Sequence, residues 1–322
     1  MLTNFLILIF GLYILVKGAD FLIEGSIKIA KTYGISNLVI GLTIVTFGTT
    51  MPELVVSVVS SVKGSNGIIM GNLIGSNVAN MLLVLGATAL FTKIKVKDSV
   101  IKKEIPFLIF SVFLLITILF FEKEGLYYIS RANGLTLLSF FLLFIIYLFN
   151  TSRKTEVKEV EEEVKIIKKE KINKDIAYII LGLVGLYFGG NFIVDNAIAI
   201  ANIFNVSEFL ISATIIAIGT SLPELVTSVM AAKKQRLDLA VGNIVGSNIF
   251  NLLWIVGVSA SIRQIAVSPE ILVDLFILLG ISIFFLLSII ANPKREITKN
   301  TGRIFLSVYV VYLVMILLRN VY

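Results

Sequence analysis

Two glutamates, Glu53 and Glu224, stand inside long apolar runs, in Gly48-Thr49-Thr50-Met51-Pro52-Glu53-Leu54-Val55 and Gly219-Thr220-Ser221-Leu222-Pro223-Glu224-Leu225-Val226. Each follows a proline, which lacks an N–H and clashes with the carbonyl four residues back, so a helix carrying either run should kink there and turn backbone oxygen inward. An acid at that depth in an apolar span is a functional group by default. A kinked packing helix with a protonated glutamate is the plainer alternative, but two copies with flanking hydroxyls weigh against it.

A second pair of motifs supplies neutral oxygen: Gly71-Asn72-Leu73-Ile74-Gly75-Ser76-Asn77-Val78-Ala79-Asn80 and Gly242-Asn243-Ile244-Val245-Gly246-Ser247-Asn248-Ile249-Phe250-Asn251. The glycines point to close helix packing, and Asn72 and Asn77 could serve only as interhelical hydrogen-bonding groups. Ser76 and Asn80 lie four apart and should share a helical face, as should Ser247 and Asn251. Two carboxylates, two amides, several hydroxyls and freed carbonyls make an oxygen cage suited to Ca²⁺, which takes six to eight such ligands. The chain has no cysteine and no histidine, so thiolate and imidazole chemistry are excluded and any bound ion should be hard: Na⁺, Ca²⁺, Mg²⁺, Mn²⁺ or H⁺. Both glutamates ionised would be neutralised by one Ca²⁺, whereas three Na⁺ in the same cage would leave one positive charge. Exchange at that ratio would respond to membrane voltage, at about 2.3 kcal/mol per charge per 100 mV.

The elements that must position these groups are membrane helices. Apolar residues make up 57% of the 322 and charged ones 15%, well short of the roughly 25% a water-facing domain carries. The N-terminal apolar stretch reads as a mature helix rather than a cleaved signal. Hydropathy gives ten spans, roughly 3–30, 36–61, 68–91, 104–121, 127–149, 175–202, 207–232, 238–261, 268–291 and 303–319. With ten spans, 22 Lys and Arg fall in the loops of one side and 5 on the other, so both termini are expected outside and the rich side in the cytoplasm. The same pattern accounts for the net charge of +7 without nucleic acid.

Shifted by 171 residues, the sequence overlays itself without a gap: 17 of the 38 positions from Thr43 to Asn80 are identical to their partners at 214–251. The expected organisation is two five-helix halves, 1–150 with its motif region at 38–86 and 175–322 with its motif region at 209–257, joined by a cytoplasmic linker at 151–174. Five spans per half is an odd number, so the halves should be inverted relative to each other. The fold class is therefore an all-α membrane protein of ten helices in two inverted-topology repeats, with its site near the midplane.

At these motifs the sequence resembles the cation/Ca²⁺ exchanger superfamily and, within it, the Na⁺/Ca²⁺ exchangers of prokaryotic type without a regulatory domain. The resemblance implies a secondary antiporter in a prokaryotic plasma membrane that exchanges Ca²⁺ for Na⁺ by alternating access. Helices 2, 3, 7 and 8 would line four ion sites while helices 1 and 6 slide across them. It implies ligands at Thr49, Thr50, Glu53, Ser76 and Asn80, and at Thr220, Ser221, Glu224, Ser247 and Asn251, with the carbonyls of Thr46 and Ala217 completing the Na⁺ sites. Asn251 departs from the aspartate of some prokaryotic and K⁺-dependent members and speaks against K⁺ co-transport. Asp20 and Asp195 read as solvated helix ends, with interfacial or gating roles as the alternative. A Ca²⁺/H⁺ antiporter on the same fold is the alternative function, and a cation channel comes after it. No nucleophile–base pair points to an enzyme. No cofactor beyond the transported Ca²⁺ and Na⁺, and no protein partner besides the lipid bilayer, is expected.

Overall fold

The structure is a computed structural model that describes residues 2–32, 37–120, 127–155, 172–204, 208–233 and 235–321. Of the expected linker, residues 156–171 lie outside the described residues. We label the helical segments α1 (Leu2–Thr32), α2 (37–63), α3 (66–91), α4 (100–120), α5 (Arg131–Thr155), α6 (Ile172–Phe204), α7 (208–233), α8 (237–262), α9 (Pro269–Ile290) and α10 (Lys299–Val321). Eight of the described helices are long and apolar enough to cross a membrane, or nine if the bent α2 is one span, and α1 adds a shorter apolar helix at Leu2–Gly18. The chain is thus an integral membrane protein, built on the pattern its apolar runs predict.

Two differences from the sequence expectation concern edges. The helix α4 starts at Val100 and α10 at Lys299, each four residues before the hydropathy boundary, because Lys102, Lys103, Lys299 and Arg303 lie within the first turns and depress the apolar signal. Four short strands were not foreseen: β1 (Ile94–Lys95) pairs antiparallel with β4 (Glu296–Ile297), and β2 (Tyr127–Ile129) with β3 (Ile265–Val267). Two or three residues carry too little alternation to be read as strands.

Burial separates core from periphery. The apolar windows of α3 and α8 are 94% buried and that of α5 only 22%. The two glycine-bearing motifs therefore occupy the centre, and the outward faces of the peripheral helices carry large apolar side chains such as Leu142, Leu143, Val310 and Val311. In bilayer such faces meet acyl chains, and no loss of hydrophobic stabilisation results.

The centre is held by backbone contact. A Cβ on Gly75 would lie 2.6 Å from the carbonyl oxygen of Ala213, and one on Gly71 2.6 Å from that of Phe209, so α3 and α7 meet with only backbone and the small Ser212 and Ala217 side chains at the contact. The same contact recurs 171 residues on: Gly242 lies against the carbonyl of Leu38 and Gly246 against Leu42 and the Thr46 hydroxyl, joining α8 to α2. Between α1 and α6 the crossing is equally close, with Gly189 against the carbonyl of Gly11 and Gly185 against Gly18. Lipid offers no hydrophobic drive for helix association, so this packing is what assembles the core.

A methyl group at Gly75 meets rigid backbone and should cost about 1–3 kcal/mol of overpacking. Gly75→Ala should therefore lower the melting temperature or the monodisperse yield of the purified protein. Gly280→Ala, with nothing within 4 Å of the added carbon, should leave both unchanged. Equal behaviour of the two variants would contradict the packing account.

Candidate ion-binding site

The proline effect is visible in both halves, but its reach is one residue. The segments Gly41–Thr49 and Met51–Lys63 of α2 meet at 53°. The hinge residue Thr50 has φ −84 and ψ 0, and its counterpart Ser221 has φ −80 and ψ 0. Helical hydrogen bonds resume on either side: Thr50 N–H donates to Thr46 O at 2.8 Å and Leu54 N–H to Thr50 O at 3.0 Å, and Ser221 and Leu225 repeat this at 3.0 Å each. Pro52 and Pro223 cannot donate to the carbonyls of Gly48 and Gly219, which is the physical reason for the bend in α2 and for the matching break in geometry at Ser221.

A second irregularity was not legible in residue types. Wide, π-type turns occur at Gly41–Val45 and Ala79–Val84, and again at Ser212–Ile216 and Phe250–Ile255, the same positions shifted by 171. Such turns insert a residue into a helix and are frequent at functional sites. They bear on the expectation that Ser76 and Asn80 share a face, since the wider turn opens between them and changes the helical register. Asn80 and Asn251 are each the second residue of a π turn.

All twelve sequence-predicted residues, Thr46, Thr49, Thr50, Glu53, Ser76, Asn80, Ala217, Thr220, Ser221, Glu224, Ser247 and Asn251, are buried. Several are brought together, some across the two halves and some within one. The Ser76 hydroxyl lies 3.3 Å from that of Thr220. The Ser247 hydroxyl donates to Glu224 Oε1 at 3.3 Å. Glu53 sits within reach of Thr220, Ser76 and the charge of Glu224, and Glu224 within reach of Thr49 and Ser247. Both carboxylates are thus buried close enough to act on each other.

Their oxygens are under-satisfied. Both carboxylate oxygens of Glu53, Oε2 of Glu224, the Ser221 hydroxyl and both amide atoms of Asn80 and of Asn251 are buried without a hydrogen-bond partner in ordinary geometry. A buried polar atom left unpaired costs about 1–3 kcal/mol, and more if charged. Concentrating so many in two matched motifs is destabilising unless a further group satisfies them, and a desolvated cation does so for oxygen atoms. The donor chemistry fits Ca²⁺ or Na⁺, being all oxygen with only two acids. Among the described residues no group of three or more His, Cys, Asp or Glu could hold a metal, so the charge of the site rests on this pair.

Other predicted ligands are already engaged. Thr46 O accepts the Thr50 N–H, the Thr50 hydroxyl at 2.7 Å and the Thr49 hydroxyl at 3.3 Å. Ala217 O accepts the Ser221 N–H and, at 3.4 Å, the Thr220 hydroxyl. An ion at Thr46 O would take the place now held by a hydroxyl.

Asn72, one of the two amides that the sequence offers as interhelical hydrogen-bonding groups, does make such bonds and is central, as is Asn243 at the matching position. Asn72 Nδ2 donates to the Glu53 carbonyl at 3.2 Å and to Ser57 Oγ at 3.0 Å, while its Oδ1 accepts the Thr220 hydroxyl at 3.3 Å. Asn243 Nδ2 donates to Ser228 Oγ at 3.2 Å, and its Oδ1 accepts the Thr49 hydroxyl at 3.0 Å. Each amide therefore ties a candidate ligand of the opposite half to its own half. The signal was available in Ser57 and Ser228, matched under the offset and one turn beyond each glutamate. Asn77 and Asn248 instead bond their own helices, to Leu73 O and Ile244 O at 2.7 Å. Asp20 and Asp195 stand apart, over half exposed; Asp20 lies 3.6 Å from Lys17 and Asp195 is ion-paired with Lys63.

The sodium/calcium exchanger protein family matches residues 3–150 and 174–318. The putative antiporter CaxA of Alkalimonas amylolytica is 35% identical over 317 residues, covering 97% of this chain and 98% of its own length. The sodium/calcium exchanger MaX1 of Methanosarcina acetivorans is 30% identical over 349 residues and 98% of each chain. In three dimensions the chain is similar to the sodium-calcium exchanger NCX_Mj soaked with 10 mM Na⁺ and zero Ca²⁺, at a TM-score of 0.70 and 31% identity, covering 97% of this chain and 98% of that one. With both halves matched and relatives aligned over nearly their full length, the chain belongs to the sodium/calcium exchanger protein family.

Proposed function

We propose that this protein is a secondary antiporter, not an enzyme, which exchanges Ca²⁺ for Na⁺ across a prokaryotic plasma membrane by alternating access. The observation that carries this reading is the pair of buried carboxylates, Glu53 and Glu224, one from each half, with oxygens that lack partners. The twelve residues named above are the proposed ligands. Asn72 and Asn243 position the Thr220 and Thr49 hydroxyls rather than touching the ions. One Ca²⁺ balances the two acids, three Na⁺ exceed them by one charge, and exchange at that ratio is electrogenic.

Ten spanning helices in two inverted five-helix repeats complete the reading. Its support is a matter of connectivity. The strand β1 precedes α4 and β2 follows it, so a spanning α4 sets the two small sheets on opposite sides of the membrane. The 171 offset carries β1 onto β3 and β4 onto the residues just before β2, exchanging the two sides. With Lys93, Lys95, Lys97, Lys294 and Arg295 around the β1–β4 sheet, that side is the cytoplasmic one and both termini lie outside.

Inside-out vesicles loaded with Na⁺ and diluted into K⁺ buffer should take up labelled Ca²⁺, and uptake should rise with a favourable membrane potential. Glu53→Gln and Glu224→Gln should each reduce it to background, because either change leaves one carboxylate to balance a divalent ion. Uptake indifferent to the Na⁺ gradient but driven by a pH gradient would replace this reading with Ca²⁺/H⁺ exchange. Current at fixed voltage without counter-ion would indicate a channel. Orientation is checked separately, since the chain has no native cysteine. A membrane-impermeant thiol reagent added to intact cells should label Arg131→Cys and spare Lys102→Cys, and the reverse would invert the topology.

A further inference from the structure

A cavity of about 690 Å³ opens where the β1–β4 sheet meets the α7–α8 connection. Five cationic side chains line it, Lys95, Lys97, Arg236, Lys294 and Arg295, against two acids, Asp98 and Asp238. Lys97 pairs with Asp238 at 2.8 Å, and Arg295 Nη1 donates to the Ile290 carbonyl at 2.8 Å. Among the described residues, Lys95, Arg236 and Lys294 have no ion-pair or hydrogen-bond partner for their side-chain nitrogens. The backbone that presents them is fixed: Lys95 sits opposite Glu296 in the sheet, and Val96 N–H donates to Arg295 O at 3.0 Å. These three cations outnumber Asp98, the one lining acid not engaged by Lys97, so a net positive charge remains that an anion in the hollow would relieve.

Charge bias across the membrane explains why the lysines are on this side; it does not explain a concave arrangement. The other half offers an internal control. The position matching Gln235 under the 171 offset is Gly64, which closes its helix in the left-handed region at φ 81, the conformation glycine adopts without strain. Gln235 and Arg295, both lining the cavity, hold the same region with side chains, at φ 59 and φ 54. At Gly64 the Arg263 guanidinium fills the space, 2.7 Å from where a Cβ would stand. The residue matching Arg263 is the shorter, neutral Thr92, and those matching Lys95, Lys97 and Arg236 are Ala266, Ser268 and Ser65. Of the five lining cations only Lys294 is matched by another cation, Lys123, so the positive charge at Lys95, Lys97 and Arg236 has no counterpart at the matching positions of the other half. Arg236 itself stands at the cap position of α8 and makes no side-chain capping bond.

We propose that this cavity binds a phosphate group, with Arg236, Lys95 and Lys294 as its ligands. Arg236 supplies the forked donor that matches phosphate oxygens, and the two lysines supply point charges. At the rim of a membrane the same chemistry is offered by an acidic phospholipid headgroup and by free inorganic phosphate. The site lies at the turn between α7 and α8, which carry Glu224 and Asn251, and it does not rest on the exchange reading, because the ligand differs and binding is read without transport.

The test uses the purified full chain in a neutral detergent, titrated separately with inorganic phosphate, dioctanoyl phosphatidic acid and dioctanoyl phosphatidylcholine, with binding read by calorimetry or native mass spectrometry. Phosphatidic acid should bind and phosphatidylcholine should not. Binding of inorganic phosphate as well assigns the site to the free anion, and its absence assigns it to the lipid headgroup; either supports the proposal. Arg236→Gln and Lys294→Gln should each weaken binding about tenfold, as expected for loss of one charge-assisted contact. Arg236→Lys should restore part of it, which also guards against misfolding. The pair Lys102→Gln and Lys103→Gln, on the same side but outside the cavity, should leave binding unchanged. No binding of either anion, or equal weakening in the control pair, would overturn the proposal in favour of a diffuse surface charge.

Discussion

Two carboxylates, one from each half, buried in the same low-dielectric interior set the terms for everything else in this molecule. Each ionised acid loses its hydration on burial, and two like charges in close range add repulsion. Proteins tolerate that arrangement when a cation or proton joins it. Here the surroundings are hydroxyls, amides and carbonyls, which can complete the coordination of a hard cation but cannot neutralise the acids themselves. The charge balance of the site is therefore decided by what enters it, which under the proposed exchange is Ca²⁺ or Na⁺.

The rest of the fold brings the acids together without surrounding them with water. Glycine contacts let α3 lie on α7 and α8 on α2 at backbone distance, so motifs far apart in sequence share one centre. Pro52 and Pro223 leave a break in helical geometry at Thr50 and Ser221, three residues before each glutamate, and the matched π turns widen the helices that carry the asparagines. The amides of Asn72 and Asn243 then tie Thr220 and Thr49 across the halves, so the hydroxyl geometry on one side depends on the position of the other. A relative movement of the halves would alter both hydroxyls together. By contrast, the α1–α6 pair packs through its own glycines, and of the candidate ligands it contributes none.

Much of this could be read in the residues. The ungapped offset of 171, two Pro-Glu steps in apolar runs and the absence of His and Cys together specify a duplicated membrane protein with an all-oxygen cation site. The helix edges were displaced wherever lysines lie in a first turn, as at Lys102 and Lys299, because hydropathy registers charge and not hydrogen bonding. The π turns are hidden in the sequence because Ala79–Val84 and Phe250–Ile255 have ordinary helix-forming composition, and no residue type marks the extra residue. The role of Asn72 was ambiguous for a related reason: an amide on a tightly packed helix can bond its own backbone, as Asn77 does, or a partner's ligand, and spacing does not separate the two.

The central claim is that one cation is shared by Glu53 and Glu224. Anomalous X-ray diffraction from crystals of the Ca²⁺-loaded protein measures this directly. The account predicts a peak about 2.3–2.6 Å from a carboxylate oxygen of each glutamate, as Ca²⁺–oxygen bonds require. A peak bound by only one of the two acids, or none between them, would contradict it.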